Sequence, residues 1–360
     1  MVEKSKRVTG FDFARALAIF GMVIVNYKLA MGADGKGAAW IIHFTGLFEG
    51  RASAIFVILA GIGISLMTKK ARVTKDLILI KKNKHTIWRR AFFLLILGIF
   101  LYIIGWNADI LHYYAFYMFL SSFYIVASNR TLLYSCIVIL TTAQISQLIF
   151  DYTKGWDTSF HEYSTFWTLE GFWRNLLFNG FHPIFPWLCF FLLGMWLGRL
   201  DFTQNDIRKK LLWYASFSFI VLESLSFFLI KTISPYIEED IAMYIFSTKP
   251  MPPNVFYILS SSSSAVIVII LCIYFTEIFT KNIITKSLIL TGQMALTHYI
   301  GHVLFLVGLV FVNLLENQTL YISLMCSILF FVSAIVLSYI WRSRLTRGPI
   351  ELLMRKYTDL

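Results

Sequence analysis

The sequence predicts an all-α, polytopic integral membrane protein with about ten transmembrane helices and both termini in the cytoplasm. Three observations predict this class. Of the 360 residues, 58% are hydrophobic and only 14% are charged. In soluble domains about 45–50% of the residues are apolar and about 25% are charged. The apolar residues are gathered in runs of about 20, the length that crosses a bilayer as a helix. The lysines and arginines are concentrated in alternate segments between those runs.

Each apolar run is expected to be a helix, because a backbone surrounded by lipid must satisfy its own N–H and C=O groups. The first run follows basic residues as a signal peptide does. Asp12 and Arg15 interrupt its start and further runs follow, so we expect an uncleaved signal anchor. The candidate spans are 11–30, 52–68, 89–106, 109–128, 131–150, 184–200, 211–231, 255–280, 287–314 and 319–341.

Orientation follows from the basic residues. An even number of spans, with Met1 inside, places the basic segment 69–90 on the cytoplasmic side. The net charge of +12 is then an orientation signal, and no nucleic-acid partner is expected. The longest outer segment, 151–183, contains an amphipathic stretch at 166–181, which we expect to be an interfacial helix or a lid. We therefore expect one transmembrane helical domain over 1–360, in contact with membrane lipids.

The cysteines carry no pattern of chemical interest. All four lie inside apolar runs, and none belongs to a CxxC motif or stands at metal-binding spacing from a histidine. We interpret them as small apolar packing residues. They are Cys136, Cys189, Cys272 and Cys326.

Polar residues inside predicted spans are the first functional candidates, since an ionisable group in a membrane is costly. Asp12 and Arg15 stand three residues apart near the inner end of the first span. They form either a local ion pair or a contact to a cytosolic ligand. Asn26 lies about three to four turns further along, near the outer end. It either bonds to a neighbouring helix or orients a substrate.

Further candidates lie at the predicted outer ends of spans. His43 and Arg51 flank the loop before the second span, where His43 is either a solvated residue or an acid–base or nucleophilic group. Asp109 and His112 stand three residues apart, so Asp109 either caps a helix or orients and charges the imidazole. His182 precedes two prolines and is either an interfacial residue or part of a substrate site.

Three candidates lie near the middle of predicted spans. His298 and His302 are four residues apart on one helix face and are expected to face a polar cavity or a partner helix. Their spacing suits a zinc pair, but no third ligand stands at a motif distance, so no metal is expected. Glu223 lies near the middle of the seventh span and needs either a partner or a proton.

The first span carries a family resemblance. The segment RVTGFDFARALAIFGMVIVNY resembles the YeiB-like bacterial membrane proteins and the heparan-α-glucosaminide N-acetyltransferase group. Their pattern of Asp, Arg-Gly and Met-Val-x-x-Asn matches Asp12, Arg15 and Asn26, with Ala16 in place of the usual Gly. Later blocks resemble the YeiB-like proteins in order along most of the chain: FEGRASAIFVILAGIGISL, WRRAFFLLILGIFLYIIGWNADILHYYAFY, FHPIFPWLCFFLLGMWLGRLD, GQMALTHYIGHVLF and RGPIELLMRKYT.

The two groups imply different functions. The acetyltransferase group uses cytosolic acetyl-CoA to acetylate an amino sugar across the membrane, and its active-site His lies at a place comparable to His43. Arg51 stands where that group has an Asp, and its Pro-Trp is absent here. The YeiB-like proteins mostly lack an assigned activity, some carry transporter labels, and the C-terminal blocks resemble them. The resemblance implies the bacterial cytoplasmic (inner) membrane.

The favoured hypothesis is a transmembrane acyltransferase. It would move an acyl group from a cytosolic acyl-CoA, such as acetyl-CoA, to a sugar, amine or lipid-linked acceptor at or beyond the outer face. The catalytic set is His43, Asp109 and His112. The substrate-binding set is Asn26, Arg51, His182, Glu223, His298 and His302. The set that binds the CoA donor is Asp12, Arg15, Arg89 and Arg90.

Two alternatives stay open. A transporter or flippase would use Glu223, His298 and His302 as a substrate or proton site near the midplane. A non-catalytic envelope protein would use the polar residues for stability alone. Fold does not fix function, so the sequence does not choose between these classes.

Overall fold

The computed structural model describes residues 7–158, 160–311, 313–315 and 317–358. Helices make up 75% of the described residues. Within the described ranges no strand occurs, and the β-type pairing is an isolated antiparallel bridge between Trp156 and Tyr163. The predicted all-α class is confirmed.

Sixteen α-helices are present in the described ranges. They are α1 (Gly10–Ala30), α2 (Ala39–Gly46), α3 (Arg51–Met67), α4 (Lys69–Thr74), α5 (Leu77–Ile103), α6 (Leu111–Ser121), α7 (Asn129–Ile149), α8 (Leu169–Arg174), α9 (Ile184–Leu197), α10 (Asn205–Ile233), α11 (Glu239–Phe246), α12 (Val255–Ile278), α13 (Ile283–Gln293), α14 (Ala295–Val310), α15 (Leu320–Arg344) and α16 (Pro349–Thr358). A π-helical turn, Asn175–Asn179, continues α8.

Among the described residues, seven helices are long and apolar enough to cross a membrane. Two bent pairs raise the number to nine: 169–179 with α9, bent by 50°, and α13 with α14, bent by 83°. A multi-pass membrane protein is therefore supported. The predicted count of ten is not confirmed, because the expected span 109–128 contains only the 11-residue α6 and a 3₁₀ turn.

Several helices begin where a side chain binds the free backbone N–H groups of the first turn. Asp76 accepts hydrogen bonds from the backbone of Ile78 and Leu79 at the start of α5. Ser128 and Asn282 cap α7 and α13 in the same way. These caps explain why the long apolar helices start at defined residues after polar connecting segments.

The described residues form two compact units. The first comprises residues from 1–56, 201–216 and 264–353, and in it α1 packs against α13, α14 and α15. The contact of α1 with α13 requires Gly292, because a Cβ there would lie 1.7 Å from the carbonyl oxygen of Asp12. The rings of Tyr27 and Phe305 stack with 5.8 Å between centroids.

The second unit comprises residues from 57–200, 217–263 and 354–360. In it α5 packs against α6, and α9 packs against α6 and α7. Segment 151–183 docks onto the end of α5, where Phe166 stacks on Tyr102 with 3.6 Å between ring centroids. Helix α8 and the π-helical turn after it lie within the stretch 166–181, and the interfacial or lid position expected for that stretch stays a prediction. A single domain over 1–360 stays a prediction.

Candidate functional site

A buried carboxylate–imidazole pair lies at the start of α6. Oδ2 of Asp109 is 2.9 Å from Nδ1 of His112 and also accepts the His112 backbone N–H at 3.0 Å. Both side chains are fully buried. Because the carboxylate faces Nδ1, that atom carries the proton and Nε2 is left as a hydrogen-bond acceptor. Asp109 thus supports the first turn of α6 and orients the imidazole at the same time.

A glycine on the neighbouring helix makes room for this pair. An ideal Cβ on Gly98 of α5 would lie 2.5 Å from the backbone nitrogen of His112 and 2.6 Å from Oδ2 of Asp109. Real Cβ atoms do not approach so closely, so a larger residue would push the turn away. The geometry of the Asp109–His112 pair therefore depends on the close approach of α5 and α6.

A wider group of polar side chains surrounds the pair, and we call it the imidazole cluster: Asp109, His112, Tyr113, Asn175, His182 and Trp187. The hydroxyl of Tyr113 donates to Oδ1 of Asn175. The hydroxyl of Tyr117 donates a hydrogen bond to the backbone carbonyl oxygen of His182. His182 interacts electrostatically with both Asp109 and His112. The structure thus brings together three of the predicted site residues, Asp109, His112 and His182.

Three nitrogen atoms of the cluster are buried without a hydrogen-bond partner in the described part of the chain. They are Nε2 of His112, Nδ1 of His182 and Nε1 of Trp187. Buried polar atoms of folded proteins are usually paired, and exceptions point to a functional site or to a bound group. Three such atoms in one cluster therefore mark it as a candidate binding site.

Aromatic rings line the same cluster. The His112 and Tyr113 ring centroids are 3.8 Å apart, and the His182 and Trp187 centroids are 4.5 Å apart at nearly right angles. Phe166 meets His112 edge-on at 5.7 Å. The polar atoms of the cluster are therefore surrounded by aromatic rings.

In the first unit, Asn26 is held by a histidine of α14. Nδ2 of Asn26 lies 3.0 Å from Nε2 of His302, while Nδ1 of His302 faces the carbonyl oxygen of Tyr299. This pattern assigns the His302 proton to Nδ1, so Nε2 accepts from the Asn26 amide. The hydroxyl of Tyr27 donates to the His302 carbonyl at 3.2 Å. Asn26 bonds to a neighbouring helix and is thereby oriented.

Asp12 is the centre of a polar network in the same unit. Its carboxylate pairs with Arg7 at 2.7 Å and with Arg15 at 3.0 Å, and it accepts from Nε2 of Gln293 at 3.2 Å. Gln293 in turn accepts from Arg342 at 2.7 Å. The predicted local pair of Asp12 and Arg15 is present. Arg7 and Arg342, which the sequence analysis did not single out, also belong to this network.

His43 is exposed on α2, in the segment between α1 and α3. That segment is anchored by Lys28, a buried lysine of α1 whose Nζ pairs with Asp34 at 2.9 Å and with Glu49. Arg51, at the start of α3, donates to Oγ of Ser264 at 3.3 Å. Lys28 is a positioning residue that the charge count alone did not distinguish from a surface lysine.

The other predicted residues have local partners. His298 is buried, and its Nε2 is 2.6 Å from the Ser338 hydroxyl. Glu223 accepts from the hydroxyls of Ser260 and Thr248. Arg89 and Arg90 are half-buried on α5. The two histidines predicted to lie near the midplane, His298 and His302, thus bond to side chains of different helices, α15 and α1.

Two arginines in the second unit form a cationic pair that the sequence did not reveal. Arg72 of α4 donates to the carbonyl and hydroxyl of Ser65, and Arg199 donates to the carbonyls of Ala127 and Tyr124. Burial lowers the pKa of Arg72, and burial followed by the nearby charge of Arg72 lowers the pKa of Arg199 to about 10. Nε of Arg199 is buried without a hydrogen-bond partner among the described residues.

A residue far away in sequence caps helix α14 of the first unit. The carboxylate of Glu351 on α16 accepts the backbone N–H groups of Leu296 and Thr297, at 2.8 and 3.0 Å. It also accepts the Thr297 hydroxyl. It therefore caps the start of α14, the helix that carries His298 and His302. The sequence gives no signal for this contact, because capping patterns are local.

No group of three or more His, Cys, Asp or Glu side chains with metal-binding geometry occurs among the described residues. Asp109 and His112 instead form a pair, and an imidazole held by a carboxylate is suited to acid–base chemistry.

Comparison with known proteins gives two family matches. Residues 7–233 match the family described as "Heparan-alpha-glucosaminide N-acetyltransferase, catalytic". Residues 197–360 match the family described as "Protein of unknown function (DUF418)". No curated protein matches the chain. Both family resemblances drawn from the sequence are confirmed.

The first match covers more than half of the chain and includes His43, the pair of Asp109 and His112, and the imidazole cluster. A multi-pass helical protein with this match is consistent with acetyltransferase-like chemistry in a membrane. The chain belongs to the family of the heparan-alpha-glucosaminide N-acetyltransferase catalytic region.

Proposed function

We propose that the protein is a transmembrane acyltransferase that moves an acyl group from cytosolic acyl-CoA to an acceptor at or beyond the outer membrane face. The observation that carries this proposal is the buried pair of Asp109 and His112, which lies within the family match. Nδ1 of His112 is held by a carboxylate and Nε2 has no partner in the described residues. That arrangement suits a general base.

The acceptor half-reaction uses His112. Nε2 takes the proton of the acceptor while the acceptor heteroatom attacks the acyl carbonyl carbon. The bond from that carbon to its leaving group breaks, and the imidazolium returns the proton to the leaving group. Asp109 stays ionised and stabilises the imidazolium that forms. A carboxylate in this position keeps the imidazole in the tautomer that the reaction needs.

The donor half-reaction uses His43. Its imidazole nitrogen attacks the thioester carbonyl carbon and the C–S bond breaks. The leaving thiolate takes the remaining N–H proton of the imidazole, so that CoA leaves as a thiol and an acyl-imidazole forms. The acceptor then attacks this acyl group and regenerates the imidazole. The support for this role is the resemblance of the His43 segment to the acetyltransferase group, together with the exposure of His43. An exposed imidazole is open to a thioester.

Asn26 stabilises the developing oxyanion. One N–H of its amide donates to His302, which fixes the rotation of the amide and leaves the second N–H available as a donor. A donor that is held in place before the reaction stabilises charge without reorganisation. His298 and Glu223 remain substrate-binding proposals, and Arg51 is proposed to contact the acceptor.

The phosphates of CoA are bound by arginines. The network around Asp12 contains three guanidinium groups, those of Arg7, Arg15 and Arg342, and among the described residues Glu351 is a second carboxylate that interacts with Arg342. Arg72 and Arg199 lie close enough to repel each other. Such surpluses of positive charge favour a phosphate-rich ligand. Arg89 and Arg90 on α5 are also proposed to contact the phosphates of CoA.

The test is CoA release by the purified protein in lipid nanodiscs, supplied with acetyl-CoA and a panel of amine and hydroxyl acceptors. Release is measured with a thiol reagent, and the acylated product by mass spectrometry. We expect His43→Ala and His112→Ala to lower kcat by about 10²-fold or more, while His161→Ala, an exposed histidine, keeps full activity. Full activity in a folded His43→Ala and His112→Ala double variant would overturn the assignment.

A further inference from the structure

We propose that the surface formed by α4 and the first two turns of α5 binds anionic phospholipids of the cytoplasmic leaflet. We call residues 69–84 the α4–α5 surface, and all of them belong to the second unit. Its lysines contact the phosphate groups of the lipids, and aliphatic side chains between the lysines enter the headgroup region. This binding does not depend on the proposed acyl transfer.

The α4–α5 surface carries a large surplus of positive charge. Residues 69–84 contain seven lysines or arginines and one acidic residue, Asp76. The carboxylate of Asp76 accepts the backbone N–H groups of Ile78 and Leu79, so it caps α5. Clusters of about four to eight basic residues next to a spanning helix attract anionic lipids. The exposed lysines of this surface are Lys69, Lys70, Lys75, Lys81 and Lys82.

Three aliphatic side chains between these lysines are almost uncovered. Val73 is 71% exposed, Leu77 79% and Ile78 82%. The orientation of a membrane protein requires positive charge on one side but no exposed aliphatic residues there. A soluble phosphate ligand such as CoA would contact the lysines and leave these three side chains in water. A lipid surface covers the aliphatic residues and pairs with the lysines at the same time.

The length of α5 brings this surface to the boundary of the membrane. The helix has 27 residues, which at a rise of about 1.5 Å each give about 40 Å. The hydrocarbon core is about 30 Å thick, and the headgroup regions bring the whole bilayer to about 40–45 Å. The end of α5 that carries Lys81 and Lys82 is the less apolar end of this span. The first two turns of α5 therefore reach the headgroup region, where phosphate groups lie.

The experiment follows an environment-sensitive fluorophore, nitrobenzoxadiazole, attached to Ile78→Cys in a protein whose native cysteines are replaced. The full chain is placed in nanodiscs of phosphatidylcholine with increasing fractions of phosphatidylglycerol. We expect the emission to shift to the blue as phosphatidylglycerol increases, and nitroxide-labelled lipid to quench it. High salt should reverse the shift, because it screens the attraction between lysines and phosphates.

A charge variant and a matched control test the role of the lysines. Replacement of Lys69, Lys70, Lys81 and Lys82 by Gln should lower the apparent affinity for phosphatidylglycerol at least about 10-fold. Lys209→Gln with Lys210→Gln, which alters an exposed lysine pair of α10, should leave that affinity unchanged. Size-exclusion chromatography checks folding, and the salt series on the parent sequence tests the same charge dependence without the fourfold variant.

Each other outcome would overturn the proposal in a different way. Equal emission with and without phosphatidylglycerol would show that anionic lipid is not recognised. Absence of quenching by nitroxide-labelled lipid at every composition would place Ile78 in water. A blue shift caused by acetyl-CoA, with none caused by phosphatidylglycerol, would assign the surface to a soluble phosphate ligand. A shift that occurs only with two copies in one nanodisc would assign the surface to self-association.

Discussion

Nδ2 of Asn26 and Nε2 of His302 lie 3.0 Å apart, although 276 residues separate them in the chain. Removal of either partner should therefore affect the other. We expect Asn26→Ala to lower kcat about 10²-fold, as for loss of an oxyanion donor. We expect His302→Ala to lower it by a smaller factor. In a double-mutant cycle, His302→Ala should lower kcat little further when Asn26 is already replaced by Ala. Additive effects of the two substitutions on kcat would contradict the contact.

Asp109→Asn tests whether the carboxylate orients the catalytic imidazole. An amide in this position accepts or donates without fixing the His112 tautomer, so we expect kcat to fall about 10²–10⁴-fold while the protein still folds. CoA release in nanodiscs measures the effect, and size-exclusion chromatography checks folding. Glu162→Gln, which alters an exposed carboxylate of segment 151–183, serves as the control. Parent activity in a folded Asp109→Asn protein would exclude the general-base role.

Gly98→Ala tests the close approach of α5 to the same pair. The new Cβ would lie 2.5 Å from the His112 nitrogen, so we expect a loss of about 1–3 kcal/mol in unfolding free energy, together with lower activity. Gly63→Ala on α3 is the matched control, since a Cβ there meets nothing within 4 Å. Thermal denaturation followed by fluorescence-detected chromatography compares the two. Equal melting temperatures would contradict the tight packing of α5 against α6.

Glu351→Gln tests the cap of α14. The carboxylate accepts three hydrogen bonds from Leu296 and Thr297, and the amide would replace one acceptor atom with a donor. We expect the free energy of unfolding to fall by about 1 kcal/mol and the melting temperature to fall with it. Glu238→Gln provides the control, because Glu238 stands at the start of α11 without a side-chain cap bond. A Glu351→Gln protein as stable as the parent would show that the cap contributes nothing.

Single-cysteine labelling tests the orientation of the chain. Lys75→Cys and Thr158→Cys place exposed thiols in the basic segment 69–90 and in the segment 151–183. With the native cysteines replaced, an impermeant maleimide should label residue 158 in intact cells and residue 75 only after permeabilisation. Labelling of both residues from the same side would contradict the predicted threading.

The sequence was informative where a signal is local. Long apolar runs predicted the spanning helices, because their length and hydropathy decide their structure in lipid. The spacing of Asp109 and His112 predicted a contact because both lie within one helical turn. The predicted span 109–128 differs in the structure, since an apolar composition does not reveal where a helix ends. Boundaries depend on caps and turns that the hydropathy pattern does not contain.

Contacts between distant segments were not predictable. Nothing in the spacing of Asn26 indicates that a histidine in α14 accepts its amide proton, and Gly98 looks like any helical glycine in an apolar run. The partners of Glu351 and Lys28 likewise depend on which helices meet. A single sequence carries composition and periodicity. It does not carry the pairing of helices, which decides where a polar side chain finds its partner.

The cap that Glu351 provides has a consequence for biosynthesis. Asn26 enters the membrane with the first helix, but the helix that holds its histidine partner is capped by a residue near the end of the described chain. Helix α14 therefore gains this cap only after residue 351 has been synthesised. The bond between Asn26 and His302 needs only α1 and α14, so it can form earlier in synthesis than the cap that stabilises the start of α14.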